Sequence, residues 1–370
     1  MVSIEDSDTN GIFVIKTNGN LYYYYQKSSG KWGSYKLLSG VKEFANTGFI
    51  DFYHKPFIFE DGAEMNLCVV KKNGNFMKGR IEFNKGGTKV TKNKWKKLMS
   101  GVSHGYVVCG SDEKYNETIN YFALKANGSL YAWGSNRYGE AGNGKNKKVS
   151  KPRLVMKNVD KFYWIFQYIE RLPGTGGTTC YAIKKNGDLY AWGYGSGINT
   201  LDGSYPDDYK YERVSPLKLL SNVSMVDGDA YDLNFIALTR DGVLWAWGNK
   251  AGSKSNYSTK EGGWGVGWDS YDEVGMTKIA KDVIAADTNG TTILYIKKDN
   301  SLWYRGWPPV RKLKESLDKS KKVTTNVSAI KSTKLWGMFI LKTDGTLYGT
   351  DYTYKKYHSK LTKLGTGFYK

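Results

Sequence analysis

The chain has 370 residues, of which 40% are hydrophobic and 15% aromatic. This composition supports a buried core and excludes an intrinsically disordered chain. The formal net charge is +20, but only eight of the 55 basic residues are arginines. Because lysine lacks the planar fork that reads bases and phosphates, nucleic acid is not the expected partner. A solvated lysine-rich surface is the expected source of the charge, and a basic face that binds a polyanion is the alternative.

Seven similar segments follow one another along the chain at intervals of 45 to 59 residues. Each has a short apolar run, a basic residue or its equivalent, Asn-Gly or a related pair, and then a Leu/Phe-led aromatic run. Short alternating runs on both sides of Asn-Gly predict a β-hairpin with a type I′ turn. The predicted turns lie near residues 18–19, 73–74, 127–128, 186–187, 241–242, 299–300 and 344–345.

A second apolar stretch follows the loop after most hairpins, as in YKLLSGVKEF at Tyr35 and PLKLLSNVSMV at Pro216. Each repeat therefore supplies about four strands. Seven such units predict an all-β fold, a seven-bladed β-propeller that forms a single domain over residues 1–370. VSIED at Val2 matches VSMVD at Val223, and LTKLGTGFYK at Leu361 resembles KLLSGVKEF. We therefore expect the N- and C-terminal segments to close the ring by sharing one composite sheet.

The segment YAWGSNRYGEAGNG, from Tyr131 to Gly144, resembles the RCC1 repeat, in which Trp-Gly is followed by N-x-x-G-Q-L-G-x-G. Glu140 and Ala141 stand where the family usually has Gln and Leu. Ala-Trp-Gly recurs at Ala191 and Ala246. The resemblance implies an RCC1-like seven-bladed propeller of a bacterial or phage type. Eukaryotic members exchange nucleotide on a small GTPase and bind chromatin; bacterial relatives include β-lactamase inhibitors and phage binding heads.

Three motifs suggest chemistry that their surroundings do not support. GEAGNGKN at Gly139 is a near-match to a P-loop, but no Ser or Thr follows the lysine and no helix is predicted after it. Asp6, Asp8 and Asn10 form the first half of a calcium loop without its final glutamate, so they are incomplete metal candidates. The carboxylates of LDGSYPDDYKYE, which begins at Leu201, share one hydrophilic loop. We expect no enzyme activity, no catalytic residue and no cofactor.

Aromatic residues set among glycines favour a binding surface. GGWGVGWDSY carries Trp264, Trp268 and Tyr271 on one long loop, where such rings act as contact anchors. Packing of both tryptophans over a sheet edge is an equally good interpretation. Arg137, Tyr138 and Tyr194 lie in the equivalent loops of two other repeats and are expected to share a face with them.

These features predict a non-catalytic binding protein, a component of a phage or phage-tail-like particle that recognises a bacterial cell-surface ligand. Two alternatives stay open: a cytoplasmic protein–protein interaction module or enzyme inhibitor, and a polysaccharide-active enzyme. The expected partners are a protein or a bacterial surface glycopolymer, without membrane insertion, and the chain is a candidate homo-oligomer within a larger assembly. MVSIEDSDTN lacks the apolar run of a signal peptide, which predicts a virion or cytoplasmic location.

Overall fold

The computed structural model describes most of the chain as β-strands and their tight connections. The described residues are 3–7, 11–27, 29–45, 64–84, 88–111, 117–168, 176–194, 212–228, 234–249, 273–289, 292–306, 316–332, 338–350 and 361–368. The chain divides into two compact units, Met1–Thr178 and Thr179–Lys370, and the boundary falls within the strand Gly176–Lys184. Among the described residues there is no helix that could cross a membrane. The predicted single domain stays a prediction.

The first unit contains three complete sheets. The first sheet consists of β1 (Ser3–Ser7), β2 (Gly11–Ile15), β3 (Leu21–Gln26) and β4 (Trp32–Leu38). The second consists of β5 (Val41–Phe44), β6 (Glu64–Lys71), β7 (Phe76–Phe83) and β8 (Val90–Met99). The third consists of β9 (Val102–Ser111), β10 (Glu117–Lys125), β11 (Leu130–Gly134) and β12 (Val149–Met156).

The fourth sheet includes the strand at the unit boundary, and three further sheets follow in the second unit. The fourth consists of β13 (Val159–Tyr168), β14 (Gly176–Lys184), β15 (Leu189–Tyr194) and β16 (Glu212–Leu220). The fifth consists of β17 (Val223–Gly228), β18 (Asn234–Thr239), β19 (Leu244–Asn249) and β20 (Glu273–Ala280). The sixth consists of β21 (Val283–Thr288), β22 (Thr292–Lys297), β23 (Leu302–Gly306) and β24 (Ser316–Thr324). The seventh consists of β25 (Val327–Ser332), β26 (Met338–Lys342), β27 (Leu347–Thr350) and β28 (Leu361–Gly365).

Every sheet has four strands that lie side by side in chain order. This confirms the predicted all-β fold of seven four-stranded repeats. The prediction of a composite sheet at the chain ends is wrong, because β1 pairs with β2 and β28 pairs with β27 in two different sheets. The similarity of the terminal segments to internal ones identifies them as a first and a fourth strand. Each of them completes its own sheet.

The predicted type I′ turn is also wrong. In the first hairpin Gly19 N–H donates to Lys16 O (2.8 Å) and Lys16 N–H donates to Asn20 O (3.0 Å). A positive φ occurs at Gly19 (82°) but not at Asn18. This is a three-residue loop that ends in a glycine bulge. Asn18 has a different role: its side-chain Oδ1 accepts the N–H of Asn20 (3.0 Å).

In the first six sheets, the backbone carbonyl of the bulge residue also accepts a hydrogen bond from the start of the next sheet. Val159 N–H donates to Gly128 O (2.9 Å), and a Cβ on Gly128 would lie 2.9 Å from Val159 O. The same bond joins Gly19 to Val41, Gly74 to Val102, Gly187 to Val223, Gly242 to Val283 and Asn300 to Val327. At Gly128 the close approach of Val159 O therefore favours glycine in addition to its φ, whereas Asn300 accepts the same bond in the sixth sheet.

Aromatic residues of the second and third strands fill the core of each unit. In the first unit Trp133 stacks on Tyr121 (ring centroids 5.5 Å apart) and meets Phe76 edge-on (6.0 Å). In the second unit Trp247 stacks on Phe235 (5.8 Å) and lies beside Tyr181 (6.3 Å). The tryptophan of the Trp-Gly pair is thus a packing residue, and the strand ends at the glycine that follows it or one residue later.

Candidate functional site

The long connections lie at one end of each sheet, where the first and third strands finish. In an antiparallel sheet whose strands lie in chain order, the connection from the first to the second strand and the connection from the third to the fourth strand lie at the same end of the sheet. The tight hairpins between the second and third strands lie at the other end. The connection from β11 to β12, residues 135–148, is described throughout. We call it the β11–β12 loop. Since binding residues concentrate on loops held by a rigid scaffold, it is the candidate site.

Asn136 organises this loop from inside. Its side chain is fully buried and its φ of 51° is in the left-handed region, which Asn tolerates better than most residues. Asn136 Nδ2 donates to Lys145 O (2.9 Å) and Lys147 O (2.8 Å), and Oδ1 accepts the N–H of Ala141 (2.7 Å). One amide therefore fastens the two ends of the loop to its centre.

Further hydrogen bonds attach the loop to β10. Asn136 N–H donates to Asn120 Oδ1 (2.8 Å), Ser135 N–H donates to Ile119 O (2.9 Å), and Ile119 N–H donates to Ser135 Oγ (2.9 Å). Gly134, at φ 132°, allows this approach because a Cβ there would lie 2.2 Å from Ile119 O. The loop is consequently an ordered extension of the third sheet.

Glu140 and Tyr138 lie buried beside the exposed Arg137. The carboxylate of Glu140 is 2% exposed and accepts the N–H of Tyr138 through Oε2 (2.9 Å). Tyr138 is turned inward and is 3% exposed, whereas Arg137 is exposed. Lys145, Lys147 and Lys148 are exposed on the same loop. The loop therefore presents one arginine and three lysines to solvent over a buried polar framework.

The other predicted contact residues are placed as follows. Tyr194 is half-buried at the end of β15, and its backbone carbonyl accepts a hydrogen bond from Thr179 Oγ1. Trp264, Trp268 and Tyr271 lie outside the described residues, as do Asp8, Asn10 and the side chain of Asp6. The structure thus locates Arg137, Tyr138 and Tyr194 and leaves their common face a prediction. Sequence reasoning missed Asn136 and Glu140, although both lie within the motif that it quoted.

The near-match to a P-loop has a structural explanation. Gly139, Gly142 and Gly144 have φ values of 82°, 58° and 78°, which close successive turns of the loop. Lys145 contributes its backbone carbonyl to Asn136, and β12 begins at Val149 where a P-loop would continue into a helix. The glycines serve the folding of the β11–β12 loop.

A second polar cluster joins the first strands of three sheets in the second unit. Asp287 accepts hydrogen bonds from Ser332 N–H and Ser332 Oγ, and its Oδ1 lies 2.5 Å from Lys331 Nζ. Asp227 accepts the N–H of Thr288 (3.4 Å) and of Gly228 (2.9 Å). Burial raises the pKa of the Asp227 carboxyl to about 6, and the charge of Asp287 adds to this rise. We call Asp227, Asp287, Lys331 and Ser332 the carboxylate cluster.

The carboxylate cluster fastens neighbouring sheets and does not resemble a metal site. Asp227 and Asp287 occupy the same position of β17 and β21, and each accepts the backbone N–H of the following sheet's first strand. Within the described part of the chain, no group of three or more His, Cys, Asp and Glu side chains could hold a metal ion. The amine of Lys331 occupies the position that a cation would take.

Comparisons with known proteins agree with the repeat pattern. The model of the regulator of chromosome condensation (RCC1) repeat matches residues 127–167, which include the whole β11–β12 loop. Human E3 ubiquitin-protein ligase HERC2 is 29% identical over 135 residues, 36% of this chain and 3% of HERC2. The mitochondrial RCC1 domain-containing protein RUG3 of Arabidopsis thaliana is 28% identical over 226 residues, 59% of this chain and 46% of RUG3. The chain thus spans less than half the length of these relatives.

Solved structures with similar folds include human WBSCR16, with a TM-score of 0.47 and 16% identity over 80% of each chain. Prp20p of Saccharomyces cerevisiae, whose binding to Gsp1p and histones has been described, has a TM-score of 0.47 and 14% identity over 82% of this chain and 75% of its own. The chain thus contains one segment that matches the RCC1 repeat, and its seven sheets of four antiparallel strands are consistent with a seven-bladed RCC1-like β-propeller.

Proposed function

We propose that the chain is a non-catalytic binding protein that recognises an acidic partner surface through the β11–β12 loop. The observation that carries this proposal is the buried bonding of Asn136, which holds the loop in one conformation while Arg137 stays exposed. A loop ordered before binding loses little conformational entropy when a partner arrives. Arg137 can form paired hydrogen bonds with a carboxylate or phosphate group.

The proposed biological setting is a phage or phage-tail-like particle that attaches to a bacterial cell surface. Bacterial surface polymers and many surface proteins are anionic, and a protein of net charge +20 would be drawn to them at low ionic strength. Lys145, Lys147 and Lys148 add to this attraction beside Arg137. The setting and the polymer are part of the proposal.

Fluorescently labelled protein and a panel of intact bacteria test the proposal. We expect saturable binding to at least one strain and an affinity about tenfold lower for Arg137→Ala, because a charge-assisted contact is removed. Arg153→Ala is the matched control, since Arg153 is an exposed arginine on β12 of the same sheet. Equal losses in both variants would reduce the role of Arg137 to net charge and would contradict the proposed site.

A positioning variant separates loop order from charge. Asn136→Ala keeps Arg137 but removes the bonds to Lys145 O, Lys147 O and the N–H of Ala141. We expect faster amide exchange at Ala141 together with weaker cell binding. Wild-type affinity in a variant whose loop exchanges freely would show that loop order does not contribute. Binding to no strain, with a stable protein complex that still depends on Arg137, would assign the loop to protein–protein interaction.

A further inference from the structure

The outer half of the second sheet carries an unusual concentration of basic residues. Four cationic side chains, which we call the basic quartet, occupy one face of β7 and β8: Lys78, Arg80, Lys94 and Lys96. The strand register sets Lys78 opposite Lys96 and Arg80 opposite Lys94. Since alternate residues of a strand share a face, the two pairs are adjacent on the same side of the sheet. Arg80, Lys94 and Lys96 are exposed or partly exposed and Lys78 is half-buried.

Directly opposed like charges destabilise an antiparallel pair. In the other six sheets, the described pairings of third and fourth strands set no two basic residues opposite each other. Lysines of their fourth strands lie opposite an aromatic ring instead, as Lys36 does with Tyr22 and Lys322 with Trp303. The second sheet instead has two adjacent pairs of opposed basic residues, Lys78 with Lys96 and Arg80 with Lys94.

The acidic residue that β7 places on this face is already engaged. Glu82 accepts a hydrogen bond from Arg80 Nε (3.1 Å) and lies 2.6 Å from Lys92 Nζ. These two contacts lower the pKa of the Glu82 carboxyl, with the bond to Lys92 the larger cause. Counting Lys92, β7 and β8 place five basic residues and one acidic residue on this face, and the strand register sets Glu64 of β6 opposite Glu82. Basic positions on the face therefore outnumber acidic ones.

Protection of the sheet edge explains only part of this charge. β8 is the last strand of its sheet, and lysines on an edge strand discourage pairing with another chain. Lys94 and Lys96 would fulfil that role alone. Lys78 and Arg80 lie on β7, which is paired on both sides, so they add like-charge repulsion without guarding an edge.

We propose that the basic quartet binds a linear polymer whose anionic groups are joined by flexible, base-free units, namely a polyol phosphate. Opposed residues in a sheet are separated by about 5 Å and successive pairs on one face by about 7 Å. Each opposed pair can hold one phosphate, and the two pairs can hold consecutive phosphates of an extended chain. The proposal rests on the proposed binding function and adds to it a second surface, distinct from the β11–β12 loop.

The absence of a stacking platform favours such a polymer over a single-stranded nucleic acid. Proteins that bind single strands without sequence preference combine basic grooves with aromatic rings on which bases stack. The six residues of the quartet face, residues 78, 80, 82, 92, 94 and 96, include no aromatic residue. Trp95 lies on the opposite face, over Gly79, and donates its Nε1–H to Asn93 Oδ1 (2.8 Å).

Fluorescence anisotropy with a labelled poly(glycerol phosphate) oligomer tests the proposal. We expect the triple variant Lys78→Gln/Lys94→Gln/Lys96→Gln to lose affinity by about tenfold or more, with a weaker dependence of binding on salt. The matched control is Lys36→Gln/Lys322→Gln/Lys363→Gln, which removes the same charge from fourth-strand lysines of three other sheets. We expect the control to lose less than about threefold.

Other outcomes overturn the proposal. Equal losses in the two triple variants would show that net charge alone attracts the polymer. Tighter binding of oligodeoxythymidylate than of the polyol phosphate, lost in the same variant, would identify a nucleic-acid surface. Arg137→Ala is measured in the same assay: an unchanged polymer affinity is expected, so failure of the loop site and failure of the quartet can be told apart. Thermal unfolding midpoints verify that both triple variants fold. The midpoint of the Lys78→Gln/Lys94→Gln/Lys96→Gln variant should rise, because repulsion among the basic side chains is reduced.

Discussion

Gly128 combines two requirements that are separate in most turns. Its φ of 82° closes the hairpin, and its missing Cβ leaves space for the carbonyl of Val159. Asn300 occupies the corresponding position of the sixth sheet at φ 59°. The sixth sheet therefore shows that asparagine can adopt the required φ in this fold, in agreement with its tolerance of the left-handed region.

Gly128→Ala is expected to lower the free energy of unfolding by about 2–4 kcal/mol, because strain at positive φ and a contact with Val159 O are added together. Gly30→Ala is the control, since Gly30 has a φ of 75° and a Cβ added there would meet nothing within 4 Å. It should lose only about 1–2 kcal/mol. Urea denaturation measures both. Equal losses would mean that the junction with Val159 adjusts without cost.

The sequence predicted the β11–β12 loop as a contact region but could not choose among its side chains. Arg137 and Tyr138 are adjacent, and in an irregular loop no periodicity assigns one to solvent. The folded loop buries Tyr138, whose backbone N–H donates to Glu140, and exposes Arg137. The spacing of Tyr138 and Glu140 in the sequence does not predict this bond, which depends on the folded loop.

At the scale of the strand, hairpins and their order were predictable because each repeat shows short alternating runs around a turn pair. The turn type was not, because Asn-Gly suits both a two-residue turn and a three-residue loop with a bulge. The docking of the next strand on the glycine, as at Gly19 and Val41, favours the bulge. A contact between sheets therefore decides a feature that looks local.

The carboxylate cluster makes the strand junctions of the second unit sensitive to pH. The folded-state pKa of Asp227 is raised to about 6, above the ordinary value of 3.8. Its contribution to stability is therefore fully present below the unfolded-state pKa and is lost as pH rises through about 6. The charges that face it are those of Asp287 and Lys331.

Asp227→Asn should remove this loss, because the amide stays neutral at every pH. We expect the variant to unfold at a higher temperature than the wild type at about pH 7.5, with a gain of about 1–3 kcal/mol, and to gain clearly less at about pH 4.5, where Asp227 of the folded wild type is mostly protonated. Differential scanning calorimetry at both values measures the gain. A gain that is the same at both pH values would contradict the assigned titration.

Asp344→Asn provides a control of opposite sign. The N–H of Thr346 donates to Asp344 Oδ1 (2.9 Å) in the last hairpin turn, and this bond lowers the pKa of the carboxyl. Ionised Asp344 therefore stabilises the turn above its unfolded-state pKa, and that stability falls as pH decreases through the folded-state pKa. The asparagine variant should be less stable than the wild type near neutral pH.

At the scale of the whole molecule, the net charge of +20 opposes folding through self-repulsion. Raising NaCl from about 20 mM to about 300 mM should raise the thermal midpoint by roughly 2–4 °C, because added ions screen exposed lysines. The quartet variant should begin at a higher midpoint and gain less. An unchanged or lower midpoint in the wild type would show that the lysines are too far apart to repel one another strongly.

Sequence similarity also misled at this scale. VSIED and LTKLG were recognised as strands of the repeat, and both form such strands. Similarity to an internal segment gives the position of a strand within a sheet, but it does not say which sheet the strand joins. Pairing of β1 with β2 requires only a three-residue connection, and joining β1 to β28 would require closure over the whole chain.

The contiguity of each sheet has a consequence for synthesis of the protein. Because every sheet consists of four strands in uninterrupted chain order, its hydrogen-bonded partners have all left the ribosome when its fourth strand emerges. The first sheet can form once β4 is exposed and does not wait for the C-terminal strand. Strand edges are then paired one sheet at a time, and the nascent chain exposes the unpaired strands of no more than one incomplete sheet.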